Sequence, residues 1–244
     1  MAGLVGIDNA AAEYVTAPLE EIFARAFDDY VYDIAELSFS NYLFLTSIGN
    51  CPYIGLPVFP SRAFRHSAIF IRTDRNIRGP RDLVGRTIGV REFSMTAALV
   101  ARGVLEDDFG VRAAEVRWRY GPADAEDSDP IVRMKPRGID LEPLTGGSNL
   151  SDALRDGEID ALVAYKPPPA YLEGAPNVDR LFVDYEVIEA DYARRTGIFP
   201  IMHLLGIQRE IAERDPGLCL RVCDAFEVSR RYAVERTNES QAPF

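Results

Sequence analysis

Apolar positions along this chain change period repeatedly, and each change predicts an element. Ile22, Phe23, Ala26 and Phe27 keep helical spacing, so a helix is expected over Leu19–Tyr30, opened by Pro18 with Glu20 and Glu21 in its first turn. Tyr32–Leu37 alternates as a strand and runs into Ser38-Phe39-Ser40-Asn41 and an apolar helix, Tyr42–Ile48, with Ser40 as its expected N-cap. Pro52–Phe59 reads as extended. Ala68–Ile71 and Thr87–Val90 are short β-branched runs of the kind that form buried strands. Ser94 is an expected second N-cap, for a helix over Ala97–Phe109 that stops at Gly110.

The second half continues in the same alternation. Strands are expected at Val116–Tyr120, Ile139–Leu144, Ile159–Tyr165 and Val178–Val183, with helices at Leu150–Arg155 and Ile188–Arg195. Gly121–Pro136 reads as an acidic, proline-containing loop, and Thr145–Asn149 as a turn that lacks the spacing and lysine of a phosphate-binding loop. After a final apolar run, Leu204–Ile207, come helices at Gln208–Arg214 and Pro216–Val234 and an expected frayed tail, Asn238–Phe244. Strands alternating with helices make an α/β class.

Candidate chemistry gathers at a few places. Arg62, Arg65 and His66 stand within five residues, just before the run Ala68–Ile71. A guanidinium forms a planar fork for a carboxylate, and imidazole trades protons near neutral pH. The alternative is an ordinary surface loop whose arginines pair with nearby acids. The second histidine, His203, likewise stands at the mouth of an apolar run. Ser40 and Ser94 both mark strand-to-helix junctions, where free backbone N–H groups favour an anion. If the runs beginning near His66 and His203 are adjacent crossings between two lobes, the histidines meet at a hinge. Trp118 and Tyr165 are expected to be packing residues.

Composition narrows the partners. The chain has 244 residues and a formal charge of −11, which disfavours nucleic acid and anionic membrane surfaces. A local arginine pocket for a small anion is compatible with that charge, because the global field is screened beyond roughly 8 Å at physiological salt. No apolar run approaches the ~20 residues of a membrane helix. Met1–Ala12 lacks the basic start and apolar block of a secretory leader, and Cys51, Cys219 and Cys223 show no metal-like clustering. A cytoplasmic location is therefore expected, with no metal.

Several stretches then read as family motifs. Glu36–Leu43, Pro57–Ser67 and Thr196–His203 resemble segments of the 4,5-dihydroxyphthalate decarboxylase family. So do Asp82–Val90, Glu92–Ala97 and Asp156–Leu162, in the expected order over most of residues 4–215. The resemblance implies a two-lobed type II periplasmic-binding-protein-like fold with the ligand in a cleft between lobes. Residues 1–73 with 201–244 would form one lobe and 74–200 the other. Relative to that family the chain is expected to be shortened at both ends. The implied activity is decarboxylation of a dihydroxylated aromatic dicarboxylate without a cofactor, because the ring itself can accept the electrons. Arg62 and Arg65 would hold carboxylates, with Ser40, Asn41, Ser94 and Thr96 adding hydrogen bonds. His66 or His203 would be the acid, its partner holding a phenol. A homo-oligomer is a compatible assembly. The rival reading is a non-catalytic receptor of the same fold for a small carboxylate.

Overall fold

The longest buried runs build one sheet. In the computed structural model, which describes residues 5–127, 134, 136–146 and 149–241, nine strands and eight α-helices alternate along the chain. By compactness the chain divides into two units, Met1–Ser61 with His203–Phe244, and Arg62–Met202.

The continuous unit carries six strands: β3 (Ile69–Arg72), β4 (Thr87–Val90), β5 (Arg117–Tyr120), β6 (Asp140–Pro143), β7 (Ala161–Val163) and β8 (Val178–Arg180). Their order is β6-β5-β4-β7-β3-β8, with β6, β5, β4 and β7 mutually parallel and β3 antiparallel to both its neighbours. Parallel strands are covered on both faces. Accordingly β7 is buried throughout, as is the antiparallel β3 beside it, with helix α3 (Thr96–Phe109) packed near β7 and helix α4 (Leu150–Asp156) against β4 and β7. Gly89 in β4 has no room for a side chain, since an added Cβ would meet Ile159 Cδ1 at 2.6 Å and Leu150 Cδ2 at 2.8 Å. Two cores result. One gathers Ile88, Val90, Phe93, Leu105 and Trp118, and the other Phe70, Leu154 and Leu162.

The discontinuous unit has a three-stranded sheet, β1 (Ile34–Ser38), β9 (Ile201–Gln208) and β2 (Tyr53–Arg62), in the order β1-β9-β2. One core lies under Phe27, Leu37, Leu45, Tyr53 and Leu204, and the other joins Leu56, Leu205 and Ile207 to Val222 of helix α8 (Pro216–Gln241). None of the described helices is long and apolar enough to cross a membrane.

Several expectations need correction. The first boundary falls after Ser61, not after residue 73, because β3 is hydrogen-bonded between β7 and β8. The return falls after Met202, inside β9 rather than before it. The expected helix Leu19–Tyr30 is α1 (Leu19–Ala24) followed by a π-helical turn, Arg25–Asp29, that ends at a left-handed Tyr30. Helix α2 (Phe39–Ser47) starts before Tyr42, so Ser40 and Asn41 lie in its first turn and Ser38 is the N-cap. Likewise Met95, not Ser94, caps α3. The extended stretch expected at Pro52–Phe59 is β2, and it continues to Arg62, so Arg62 stands on a strand and not in the surface loop given as the alternative. The tail expected to fray continues α8 to Gln241, and Ala242–Phe244 lie outside the described residues. So do residues 128–133 and 135 of the acidic loop, and Gly147 and Ser148 of the expected turn.

Candidate functional site

In the discontinuous unit, the polar end of β1 sits beside β9. The antiparallel register sets Ser38 opposite His203 and Glu36 opposite Leu205. Side chains alternate along a strand, and directly paired residues share a face, so Glu36, Ser38 and His203 stand on one side. There His203 Nδ1 lies 2.6 Å from Glu36 Oε1, with the two side chains 14% and 29% exposed. The Phe23 ring meets the imidazole edge-on, with centroids 5.0 Å apart and planes at 75°. Directly after Ser38 the chain turns into α2, whose first turn holds buried Ser40 and Asn41. The first turn of a helix leaves backbone N–H groups without intrahelical partners.

In the continuous unit, the order of the sheet points to one edge. From β4 the chain passes through α3 to β5 on one side, and later returns through α4 to β7 on the other. The junction of β4 and β7 is therefore a topological switch point, and ligands of open α/β sheets bind at the carboxyl ends of strands there. Arg91 to Thr96 follow β4, and Tyr165 follows β7. Arg65 reaches this edge, its Nη1 lying 3.5 Å from the Tyr165 carbonyl oxygen while its Nε lies 3.2 Å from Met202 Sδ. The carbonyl contact is long and the thioether is a weak acceptor, so neither holds the guanidinium as a carboxylate would. Burial pushes the Arg65 pKa down, and the charge of Glu189 opposes that. A desolvated guanidinium without a close carboxylate is primed for an anionic ligand.

The other expected residues are placed differently. Ser94 and Thr96 lie at this same edge and are buried, but the Ser94 hydroxyl donates to Glu92. Arg91 is held there by Asp127 through two bonds of 2.6 and 2.9 Å. Arg62 is exposed and donates to the Phe199 carbonyl at 3.0 Å. His66 is 1% exposed and wedged edge-on between Phe182 and Tyr192. Among the described residues neither of its ring nitrogens has a hydrogen-bond partner. Burial lowers its pKa, a shift that the charges of Glu189 and Asp108 oppose and Arg195 reinforces. Set edge-on to two aromatic rings, His66 has the surroundings of a packing residue rather than of a proton donor. Of the two histidines, His203 is the one in contact with a carboxylate.

Arg65, Ser94 and Thr96 are thus gathered within one unit, and Ser40, Asn41 and His203 within the other. Two participants escape a reading of the sequence. Glu36 stands within a motif, yet its meeting with His203 depends on the register of two strands far apart in the chain. Tyr165, read as packing, is half-buried at the switch point. Among the described residues no three His, Cys, Asp or Glu side chains are grouped as a metal site.

No protein-family model matches the chain. Among solved structures it resembles the periplasmic aliphatic sulphonate binding protein SsuA from Escherichia coli, with a TM-score of 0.52 and 16% identity over 89% of this chain. The alkanesulfonate-binding protein SsuA from Xanthomonas axonopodis pv. citri gives 0.51 and 14% over 90%. The chain spans 60% and 65% of the lengths of those two proteins, and at such identities the likeness concerns the fold, a two-unit α/β periplasmic-binding-protein-like one. Two curated relatives are much nearer in sequence. The 4,5-dihydroxyphthalate decarboxylase of Comamonas testosteroni is 41% identical over 241 residues, covering 98% of this chain and 73% of that protein. The enzyme of the same name from Pseudomonas putida is 40% identical over 193 residues, covering 79% and 75%. Identity of this extent, over 98% of this chain in one case and 79% in the other, places the chain in the 4,5-dihydroxyphthalate decarboxylase family.

Proposed function

We propose that the chain is a carboxy-lyase that converts 4,5-dihydroxyphthalate to 3,4-dihydroxybenzoate and CO2 without a cofactor. The observation that carries this reading, beyond the names of its relatives, is the His203–Glu36 contact. A receptor for a small carboxylate needs cations and N–H groups, whereas a decarboxylase also needs a proton donor.

The substrate supplies its own electron sink. The hydroxyl para to one carboxylate releases its proton, and the oxygen lone pair pushes electron density to the carbon bearing that carboxylate. His203, as imidazolium, transfers a proton to that carbon. The C–CO2 bond then breaks, its electron pair restores the aromatic phenolate, and the oxygen takes up a proton. One proton is consumed for each CO2 released. Arg65 holds a carboxylate, with Arg62 as a second, more exposed cation. Ser40, Asn41, Ser94 and Thr96 supply polar contacts, and His66 packs against Phe182 and Tyr192 rather than donating. The cysteines Cys51, Cys219 and Cys223 are free thiols, as a reducing compartment keeps them, and we place the reaction in the cytoplasm.

The test is to incubate purified protein with 4,5-dihydroxyphthalate while following CO2 and 3,4-dihydroxybenzoate, and to measure binding by calorimetry. Turnover is expected, and His203→Asn is expected to lower kcat at least about 100-fold, the usual scale of general acid catalysis, while Kd stays within a few-fold. Binding without turnover by the wild-type protein would favour the receptor reading. Turnover that survives His203→Asn would remove His203 as the donor.

A further inference from the structure

The contact between Glu36 and His203 decides more than where the imidazole sits. A carboxylate accepts but does not donate, so at 2.6 Å from Glu36 Oε1 the Nδ1 of His203 carries a hydrogen. Nε2 is left as the nitrogen that changes protonation, and among the described residues it makes no hydrogen bond. Rotation of the ring is limited from a second direction by Phe23, whose ring meets it edge-on at 5.0 Å. The β1–β9 register fixes both partners from the backbone, since Glu36 stands diagonally to His203 across the pair Ser38 and His203.

We infer that Glu36 is a positioning residue for the decarboxylation, holding His203 in the tautomer and orientation in which Nε2 alone delivers the proton. The inference rests on the reading of His203 as donor given above. In the protonated pair both ring nitrogens carry hydrogen, Nδ1–H donating to Glu36 and Nε2–H facing away from it. On transfer, the Nε2–H bond breaks and a C–H bond forms at the ring carbon. The imidazole left behind is neutral, with Nδ1–H still on the carboxylate and a lone pair on Nε2. A proton from the phenol or from water restores it. Without the carboxylate the neutral imidazole is free to carry its hydrogen on Nε2 with either ring face presented, and the geometry for transfer is lost between turnovers.

Three variants separate this from a merely structural role: Glu36→Leu removes the acceptor, Glu36→Gln removes the charge, and Glu36→Asp keeps a carboxylate on a shorter arm. Steady-state kinetics with 4,5-dihydroxyphthalate should show kcat about 100-fold or more below wild type in the Leu and Gln variants, with KM within about twofold, and a partial recovery in the Asp variant. In parallel, nitrogen-15 NMR of the two histidines, assigned with His203→Asn, reads the tautomer directly. The neutral ring of His203 should be the Nδ1–H form in wild type and shift towards the Nε2–H form in Glu36→Leu. A Leu variant that keeps kcat within threefold, or a wild-type ring already in the Nε2–H form, overturns the inference. The two readings also fail separately. Wild-type protein without turnover defeats the proposed activity while the tautomer still decides what Glu36 does. Turnover that survives His203→Asn, with the tautomer shift intact, leaves Glu36 positioning an imidazole that is not the donor, and so overturns its part in the reaction.

Discussion

Arg102 is the least expected side chain in the molecule. It projects from α3 into the core beside Trp118, is 8% exposed, and stacks its guanidinium 3.6 Å from the centre of the Phe93 ring. Burial alone pushes its pKa down to about 10, and among the described residues its Nη1 has no hydrogen-bond partner. A buried cation without an acid costs more than its ring contacts return. Arg102→Met keeps the volume and a sulfur–aromatic contact, and should raise stability to urea unfolding by about 1–2 kcal/mol, whereas Arg102→Ala should lower it. A Met variant less stable than wild type would show that the stack on Phe93 outweighs desolvation. His66 gives a second residue-scale test. Its folded-state pKa lies below the ordinary 6.5, so the folded chain binds fewer protons than the unfolded one at mildly acidic pH. Its contribution is therefore complete above about pH 6.5 and is lost as pH falls towards the depressed value, with a slope of up to ~1.4 kcal/mol per pH unit. His66→Phe should flatten the stability profile in that window relative to wild type, and an unchanged slope would contradict the assignment. The two histidines had looked equivalent in the sequence, each before an apolar run. What separates them is the company of Phe182 and Tyr192 in one case and Glu36 in the other, and no local pattern encodes either.

At the scale of elements, the apolar runs predicted the strands well because a buried strand needs little besides β-branched residues. Helix starts were harder to place. Ser40 and Ser94 have the chemistry of N-caps, but the helices begin one residue before the first and two residues after the second, with no side-chain cap bond in either case. The strands before them end at Ser38 and Val90, and the entry into each helix follows from where pairing stops rather than from the best capping residue. Close packing makes a sharper demand at Gly206 in β9, where an added Cβ would run into Leu37 Cδ1 and lie 3.1 Å from Tyr53 Cβ. Gly206→Val should cost about 1–3 kcal/mol, read by denaturant unfolding, because the core there can yield only by moving Leu37 off its rotamer. A neutral result would mean that Leu37 gives way more easily than its packing between β9 and the core implies.

For the whole molecule, alternation of strands and helices made the α/β class legible, and the family motifs pointed to two units. The boundaries were less legible, since β2 and β9 run through them without any break in pattern. Charge is the other property of the whole. With a formal charge of −11, the protein should pass through a DNA-cellulose column at low salt and bind an anion exchanger. Retention on DNA would reveal a basic surface that the totals conceal.

The central position of β9 has a consequence for how the protein is made. Synthesis delivers Arg62–Met202 as one uninterrupted stretch, and that unit can close its six-stranded sheet as soon as it has left the ribosome. The other unit cannot, because β1 and β2 flank a strand that has yet to be synthesised. Until it arrives, two strand edges stand open to wrong partners, the period of greatest aggregation risk for the nascent chain. Glu36, made 167 residues before His203, waits as an ordinary carboxylate through all of this. Threading the last strand between the first two therefore closes the sheet and forms the contact between Glu36 and His203 in a single late event.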